Sequence, residues 1–546
     1  MSEGFIFPNL EFNSRRSPVV ARRGMVATSQ PLAVAAGLAI LQQGGNAADA
    51  AVATAAALNV TEPTSTGIGG DCFALYYDAS TRQISGLNGS GRAPRALTLE
   101  RLRREGFVDE LPPFHPYTIT VPGACAGWCD LVARHGRLPM SVVLAPAIRL
   151  AEEGFPVAPI TALFWDWAVE RQLRRAPGGL ELTIEGRAPR PGEIFRNQGL
   201  ARTFQRIAEG GKSAFYTGEI ASAIAATVQA AGGCMTEEDL SQHQSTWEQP
   251  ISVVYRGLRV WECPPNSQGL AALLGLNLLE GFSISELPPL SARRLHLMIE
   301  AMRLAFADAR WYVADPAFNP APVDRLLSKE YAAERRRLIG TRRAALGVSP
   351  HDLRPGADTV YLSVVDGDGN ACSFINSNYM GFGTGIVPSG WGFSLQNRGH
   401  NFSLDPEHPN ALAPGKRPYH TIIPALATRS DGSLFASFGV MGGFMQPQGH
   451  LQVIVSMVDD HLDPQTALDR QRFYIEVNAK DEPVVLETGI PERVMSELAE
   501  MGHPVSMLQG RERAVFGRGQ IILRDDNGVL WGGSDPRADG CAMALL

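Results

Sequence analysis

Thr359, in Asp358-Thr359-Val360-Tyr361-Leu362-Ser363-Val364-Val365-Asp366, carries a nucleophilic hydroxyl at the start of a strand. If the chain is cut before it, the same residue also carries a free α-amine. An unperturbed pKa of roughly 7.7–8.0 makes that amine a base near neutral pH, so one threonine supplies nucleophile and base without a histidine. The segment Thr341 to Asp358 is polar and broken by Gly and Pro. Such a composition leads us to expect a segment able to strain the Asp358–Thr359 peptide, so that the Thr359 hydroxyl attacks its own upstream carbonyl and forms an ester that water hydrolyses. Taken alone, Thr359 also fits a β-branched residue that simply begins a strand.

Other chemistries lack their residues. Gly89-Ser90-Gly91 has the wrong spacing for a G-x-S-x-G elbow, and there is no H-E-x-x-H. Gly67-Ile68-Gly69-Gly70 precedes a strand rather than a helix N-terminus, which removes the phosphate-cradling geometry. The acidic residues are dispersed without ligand spacing, so neither a metal nor a cofactor is expected.

The elements that position Thr359 follow from pattern. Thr359–Val365 and Ala371–Ser377 flank Asp366-Gly367-Asp368-Gly369-Asn370, a cluster that reverses a β-hairpin. Thr359 thus sits at the first residue of a hairpin, rigidly held with its amino side free. Upstream, Pro31–Gln43 and Asn46–Leu58 read as buried helices separated by Gly44-Gly45. Phe73–Asp78 and Gln83–Leu87 read as a hairpin, and Thr98–Arg104 as a helix. Helical periodicity at Pro139–Glu153, Ala158–Arg174, Gly199–Ala208, Gly218–Ala231, Thr236–His243, Leu290–Val313 and Lys329–Gly340 makes the first two thirds predominantly helical. Strands are expected afterwards, including Leu434–Val440 and Gly519–Arg524.

Composition excludes several classes. With 546 residues, 45% apolar and 19% charged, the chain can bury a large α/β core. A net charge of −7 argues against nucleic acid as a partner. The N-terminus, 1–24, fails as a secretory signal and reads as a surface arm. No segment reaches the roughly 20 apolar residues of a bilayer span, so no membrane partner is expected. Seven scattered cysteines read as reduced thiols, which places the protein in the cytoplasm.

From about Gly24 to its end, the chain resembles the γ-glutamyltranspeptidases (glutathione hydrolases) and their acylase-like relatives. The likeness rests on Gly44-Gly45-Asn46-Ala47-Ala48-Asp49-Ala50-Ala51, Gly67-Ile68-Gly69-Gly70-Asp71, Val121-Pro122-Gly123, Phe382-Gly383-Thr384-Gly385-Ile386, Gly415-Lys416-Arg417-Pro418 and Ser534-Asp535-Pro536-Arg537. It implies an αββα sandwich of the N-terminal nucleophile hydrolase type. This α+β fold would be one domain built by two subunits, 25–358 and 359–546, after cleavage between Asp358 and Thr359. The partners implied are a small-molecule amide and the two subunits as an αβ heterodimer, with the arm available for (αβ)2 contacts. It further implies Thr359 as nucleophile, Ser377 as the hydroxyl beside its amine, and the N–H groups of Gly442 and Gly443 as the oxyanion hole. The acyl group would pass to water or to an amine.

Substrate residues depart from the glutamyl pattern. The family's carboxylate-binding arginine aligns with Ser90, and Arg92 two residues later either substitutes or caps a surface turn. His420 and Thr421 replace a serine pair and still offer donors to a carboxylate. Where glutamyl enzymes hold the substrate ammonium, the chain has Arg398 and neutral Asn401, a pocket for an anion without an amine. Arg398 also fits a salt-bridged structural role, and His400 or His420 could tune the site or be structural. Tyr379, an asparagine in glutamyl enzymes, reads as a pocket wall. The expected donor is a dicarboxylic monoamide or an acyl group such as glutaryl. An unprocessed ligand-binding relative is the alternative of another class.

Overall fold

The computed structural model describes residues 16–345, 358–477 and 482–546, with the backbone alone for Asp358. Alternation decides its layers. In the strand Asp358–Val365, Val360, Leu362 and Val364 join one hydrophobic core while Tyr361 and Val365 join another. That is the two-residue period of a strand buried on both faces. Asp71–Asp78 divides the same way, with Cys72, Ala74 and Tyr76 on the first side and Phe73, Leu75 and Tyr77 on the second.

Both strands belong to a seven-stranded antiparallel sheet. Its order is Cys541–Ala544, Met25–Thr28, Asp358–Val365, Ala371–Tyr379, Asp71–Asp78, Gln83–Gly89, Thr246–Glu248. A second seven-stranded antiparallel sheet runs Val19–Ala21, Leu530–Ser534, Arg518–Arg524, Leu434–Met441, Ala425–Thr428, Leu258–Glu262, Ile251–Tyr255. Phe73, Tyr361, Ile375, Leu426, Met441 and Ile522 pack between the sheets. Helices including Pro31–Gln42, Ala47–Thr61 and Ala124–His135 cover the outer face of the first sheet. Gly269–Leu279, Ala292–Tyr312 and Met445–Val458 cover the second. The four layers are the αββα sandwich that the resemblance implies.

The Thr359 hairpin is docked onto a helix start. Asn46 caps the fully buried helix Ala47–Thr61 by accepting from the Ala48 and Asp49 N–H groups, and Asp49 returns a bond to the Asn46 N–H. Such a cap contributes about 1 kcal/mol. The next free donor, Ala47 N–H, goes to Asp366 Oδ2 at 2.9 Å. The Gly44–Ala51 string is therefore the mount for the hairpin turn.

Some elements differ from the expectation. Both sheets draw strands from both sides of Asp358, so the switch from helices to strands is less sharp than the periodicity suggested. Helix Gly269–Leu279 is buried all round, which leaves no polar stripe and hence no 3.6-residue signal. The helix expected over Ala158–Arg174 runs Pro159–Ala168 and continues as a wider π-helical turn, Val169–Leu173, from which Gln172 donates to the Met380 and Gly383 carbonyls. Residues 1–15 of the expected arm lie outside the described residues, and Val19–Ala21 adds an edge strand to a sheet. No helix among the described residues is long and apolar enough to cross a membrane.

Candidate active site

The hairpin carries a bulge at its open end. Asp358 pairs with Tyr379 and Val360 with Asn376, so Ser377 and Asn378 together stand opposite Thr359. Bulges re-aim side chains, and here Thr359 Oγ1 lies 3.1 Å from Ser377 Oγ. Beyond the bulge Tyr379 adopts φ 79°, which costs a bulky residue about 1–3 kcal/mol. Its N–H donates to Ser377 Oγ at 2.8 Å. The neighbouring strand must come close at this point: a Cβ on Gly70 would stand 2.3 Å from the Ser377 carbonyl oxygen. Close approach, rather than phosphate binding, accounts for that glycine.

The facing sheet brings the second component. Ser363 Oγ meets Ser437 Oγ at 2.6 Å, and the Tyr361 ring lies against Gly439, whose added Cβ would be 2.5 Å away. Continued in the same direction, the strand Leu434–Met441 ends at Met441 and is followed by Gly442. Gly442 and Gly443 have φ 134° and 56°, values that favour glycine. They immediately precede the helix Met445–Val458 with its N-cap Phe444, where backbone N–H groups and the helix dipole favour negative charge. Among the described residues no acceptor takes the N–H of Gly442 or Gly443.

A chain of hydrogen bonds joins the two components. Arg398 donates from Nη2 to Ser377 Oγ at 3.2 Å and from Nη1 to Thr421 Oγ1 at 2.6 Å. Gln268 Nε2 donates to the Thr421 carbonyl and, at 2.9 Å, to the Gly443 carbonyl. Ser377 Oγ thus accepts from Tyr379 N–H and from Arg398, beside its contact with Thr359 Oγ1.

Arg398 is the electrostatic centre. It is fully buried, and among the described residues no carboxylate forms an ion pair with it. Its Nε has no partner, and its guanidinium lies 4.4 Å from the centre of the Tyr379 ring. Burial pulls its pKa down to about 10, opposed by Asp71 and Tyr379, so it stays charged near neutrality. A buried charge without a carboxylate partner is costly, and among the described residues no ion pair supports a salt-bridged structural role for Arg398. Tyr379 Oη donates to Asn401 Oδ1 at 2.6 Å, so Asn401 is held as a neutral wall.

His420 Nε2 meets Asp71 Oδ2 at 3.0 Å, and its Nδ1 has no partner. Burial first, then Arg398, lower its pKa to about 4 against the pull of Asp71, so the ring is neutral and Nε2 donates. Arg92 is placed elsewhere: its Nη1 pairs with Asp315 at 3.1 Å and donates to the Gly415 carbonyl at 3.3 Å. Ser90 is held by Asn88 and Asn266. His400 Nδ1 bonds the Leu111 carbonyl. Thr359, Ser377, Tyr379, Arg398, Asn401 and Thr421 are brought together directly, Gly443 through Gln268, and His420 through Asp71, whose strand pairs Asp71 with Ser377.

The γ-glutamyltranspeptidase family model matches residues 33–545. The chain belongs to that family. It is 37% identical over 96% of its length to the "Glutathione hydrolase-like YwrD proenzyme" of Bacillus subtilis, covering 99% of that protein. It is 34% identical over 96% to the "Oxamate amidohydrolase proenzyme" of Klebsiella pneumoniae, covering 98% of it. The solved structure of a cephalosporin acylase from Bacillus halodurans superposes with TM-score 0.91 at 48% identity, covering all of this chain and 99% of that one. The fold is therefore the N-terminal nucleophile hydrolase sandwich of this family, whose members act on amide bonds.

Two site residues escaped the sequence reading. Gln268 stands in Asn266-Ser267-Gln268, a polar run before a wholly apolar helix, and that contrast was the available signal. Asp71 closes the Gly67–Asp71 string but carried no chemical hint of its own. Three further ligand-type residues also meet: His296 and Glu300, one helical turn apart, and His503, about 200 positions further on. His296 bonds His503 and the Gly340 carbonyl, His503 also bonds Arg303, and Glu300 accepts from Arg303 and Ala345 N–H.

Proposed function

We propose that the chain cleaves itself between Asp358 and Thr359 and then acts as a threonine amidohydrolase on acidic acyl amides that carry no α-amine. The freed α-amine of Thr359 takes the hydroxyl proton as Oγ1 attacks the donor carbonyl. Negative charge on the carbonyl oxygen is met by the N–H groups of Gly442 and Gly443. Collapse expels the donor's amine, which takes the proton, and leaves an ester on Thr359. Water, activated by the same α-amine, then releases the acid; an amine in place of water gives transfer. Ser377 orients Thr359 Oγ1.

The observation that carries the donor assignment is Arg398. A buried guanidinium with no carboxylate ion pair among the described residues, next to the nucleophile's own neighbour, fits a donor carboxylate. The same charge, with neutral Asn401 beside it, disfavours a substrate ammonium. Relatives named as acylase and oxamate amidohydrolase proenzymes stand beside others named as glutathione hydrolases, so the choice of donor rests on Arg398 and Asn401. Arg92, paired with Asp315, is assigned a structural role. The seven cysteines, all free thiols, support a reducing, cytoplasmic location, and the two fragments are proposed to remain together as an αβ pair.

A hydrolysis panel of γ-glutamyl, glutaryl, succinyl and oxamyl amides tests the reading. An amine-free donor is expected to give the highest kcat/KM, with glutaryl first. A clear preference for the γ-glutamyl amide rejects the assignment of Arg398 and Asn401 while leaving Thr359 as nucleophile.

A further inference from the structure

The Ser534-Asp535-Pro536-Arg537 string lies outside the cluster around Thr359, yet its side chains form a densely bonded buried charge network. Arg537 bonds Asp535 through Nη1 at 3.0 Å and Glu487 through Nε at 2.7 Å. Arg513 Nε reaches Glu487 Oε1 at 2.7 Å, and Arg472 Nη2 reaches Asp535 Oδ2 at 2.7 Å. Arg472, Glu487, Asp535 and Arg537 are all 2% exposed or less. Desolvating so many charges is expensive and brings little net stability, so the arrangement calls for another reason.

Arg472 points to one. Its Nη1 donates to two consecutive backbone carbonyls, Phe516 at 2.9 Å and Gly517 at 3.2 Å. Gly519 N–H, just beyond, donates to Asp535 Oδ2 at 2.8 Å. The network thus clamps the entry of the Arg518–Arg524 strand from 516 to 519. That entry is what Gly442 rests on. A Cβ on Gly442 would stand 3.2 Å from Gly517 Cα, and one on Gly517 would stand 2.5 Å from the Met441 carbonyl oxygen. No other group need intervene between the clamp and the glycine peptide.

We propose that Arg472, held by Asp535, Arg537 and Glu487, is a positioning residue for the oxyanion hole: it fixes Phe516–Gly517, and Gly517 fixes Met441–Gly442. The inference rests on the proposed role of Gly442 and Gly443. It assigns to the Ser534–Arg537 string the alignment of N–H donors with an oxygen that exists only in the transition state. Losing alignment lowers kcat while substrate binding, which depends on Arg398, persists. Removing an oxyanion donor outright costs about 10²–10³ in kcat, and displacing one costs less, on the order of tenfold.

The test uses the cleaved enzyme and a pair of probes that differ only in the reacting group. 4-Boronobutanoic acid forms a tetrahedral adduct with the Thr359 hydroxyl and places an anionic oxygen in the hole; pentanoate offers the same carboxylate chain with a methyl group in place of the boron. Arg472→Lys keeps the charge but cannot span both carbonyls and Asp535, and Arg472→Met removes it. Both are expected to lower kcat on the order of tenfold with KM within about twofold, and to lose boronate affinity by the same factor while pentanoate affinity holds. If neither variant folds, Gly517→Ala pushes the same peptide from the other side and carries the same expectation. Wild-type discrimination between boronate and pentanoate in any folded, cleaved variant overturns the inference. A wild-type enzyme with no boronate preference instead overturns the oxyanion assignment of Gly442 and Gly443.

Discussion

Replacing Arg398 with glutamine removes the charge assigned to the donor carboxylate and retains a hydrogen-bonding group. A hydrogen bond to a charged group contributes about 1.5–3 kcal/mol, which is about 10- to 150-fold in kcat/KM. The loss is expected only with acidic donors. Glutaryl-p-nitroanilide should fall within that range, whereas pentanoyl-p-nitroanilide, the same length without the carboxylate, should change by less than about threefold. The pH profile should move as well. Arg398 reaches Thr359 through one hydroxyl, by bonds of 3.2 and 3.1 Å. A positive charge at roughly 6 Å disfavours the protonated amine, so its removal raises the amine pKa by about one to two units. The acid limb of kcat/KM should therefore shift to higher pH by that amount. Because Arg398 is buried without a carboxylate ion pair among the described residues, the variant is expected to unfold at the same or a higher temperature. Equal losses with both donors, or an unchanged profile for the acidic one, would refute the reasoning.

Two other outcomes are expected. Thr359→Ala should remain a single chain on a denaturing gel, whereas the wild type gives two fragments with Thr359 at the new N-terminus; a variant still cut at that bond would disprove the intramolecular attack. The uncleaved Thr359→Ala chain also suits a stability measurement against pH. Burial lowers the pKa of His243, His450 and His503 to about 3 and that of His135 and His420 to about 4. Each takes up its proton only on unfolding once the pH falls below about 6.5, so stability is retained above that value and lost between about 6.5 and 3. His243→Asn should flatten the denaturant-midpoint profile in that window, and an unaltered slope would contradict the assignment.

What was legible in the sequence was local. Thr359, Ser377 and the hairpin between them could be read because a strand's alternation and a Gly/Asp turn are encoded within about twenty consecutive residues. Gly442 and Gly443 were legible through a resemblance, and their positive φ values supply the physical reason. Pairings across hundreds of residues were not legible. Arg92 could be left only between two roles because Asp315 lies 223 positions away, and nothing near Gln268 shows that it will join Thr421 to Gly443. The Ser534–Arg537 string was visible as a string, but its bonds to Arg472 and Glu487 exist only after folding. Helix Gly269–Leu279 was missed for the opposite reason, since burial on every face erases the periodicity that marks a surface helix.

Strand Asp358–Val365 lies inside its sheet, between Met25–Thr28 and Ala371–Tyr379. A cut before Thr359 therefore creates a chain end in the interior of a sheet, and each of the two large sheets would be shared by both fragments. Assembly of the uncut chain is a first-order event, because a covalent tether supplies the local concentration of one half around the other. After the cut the same sheets can re-form only by a second-order encounter, so recovery from unfolding becomes dilution-sensitive. The cut molecule's lifetime is then set by how rarely it unfolds rather than by how readily it refolds.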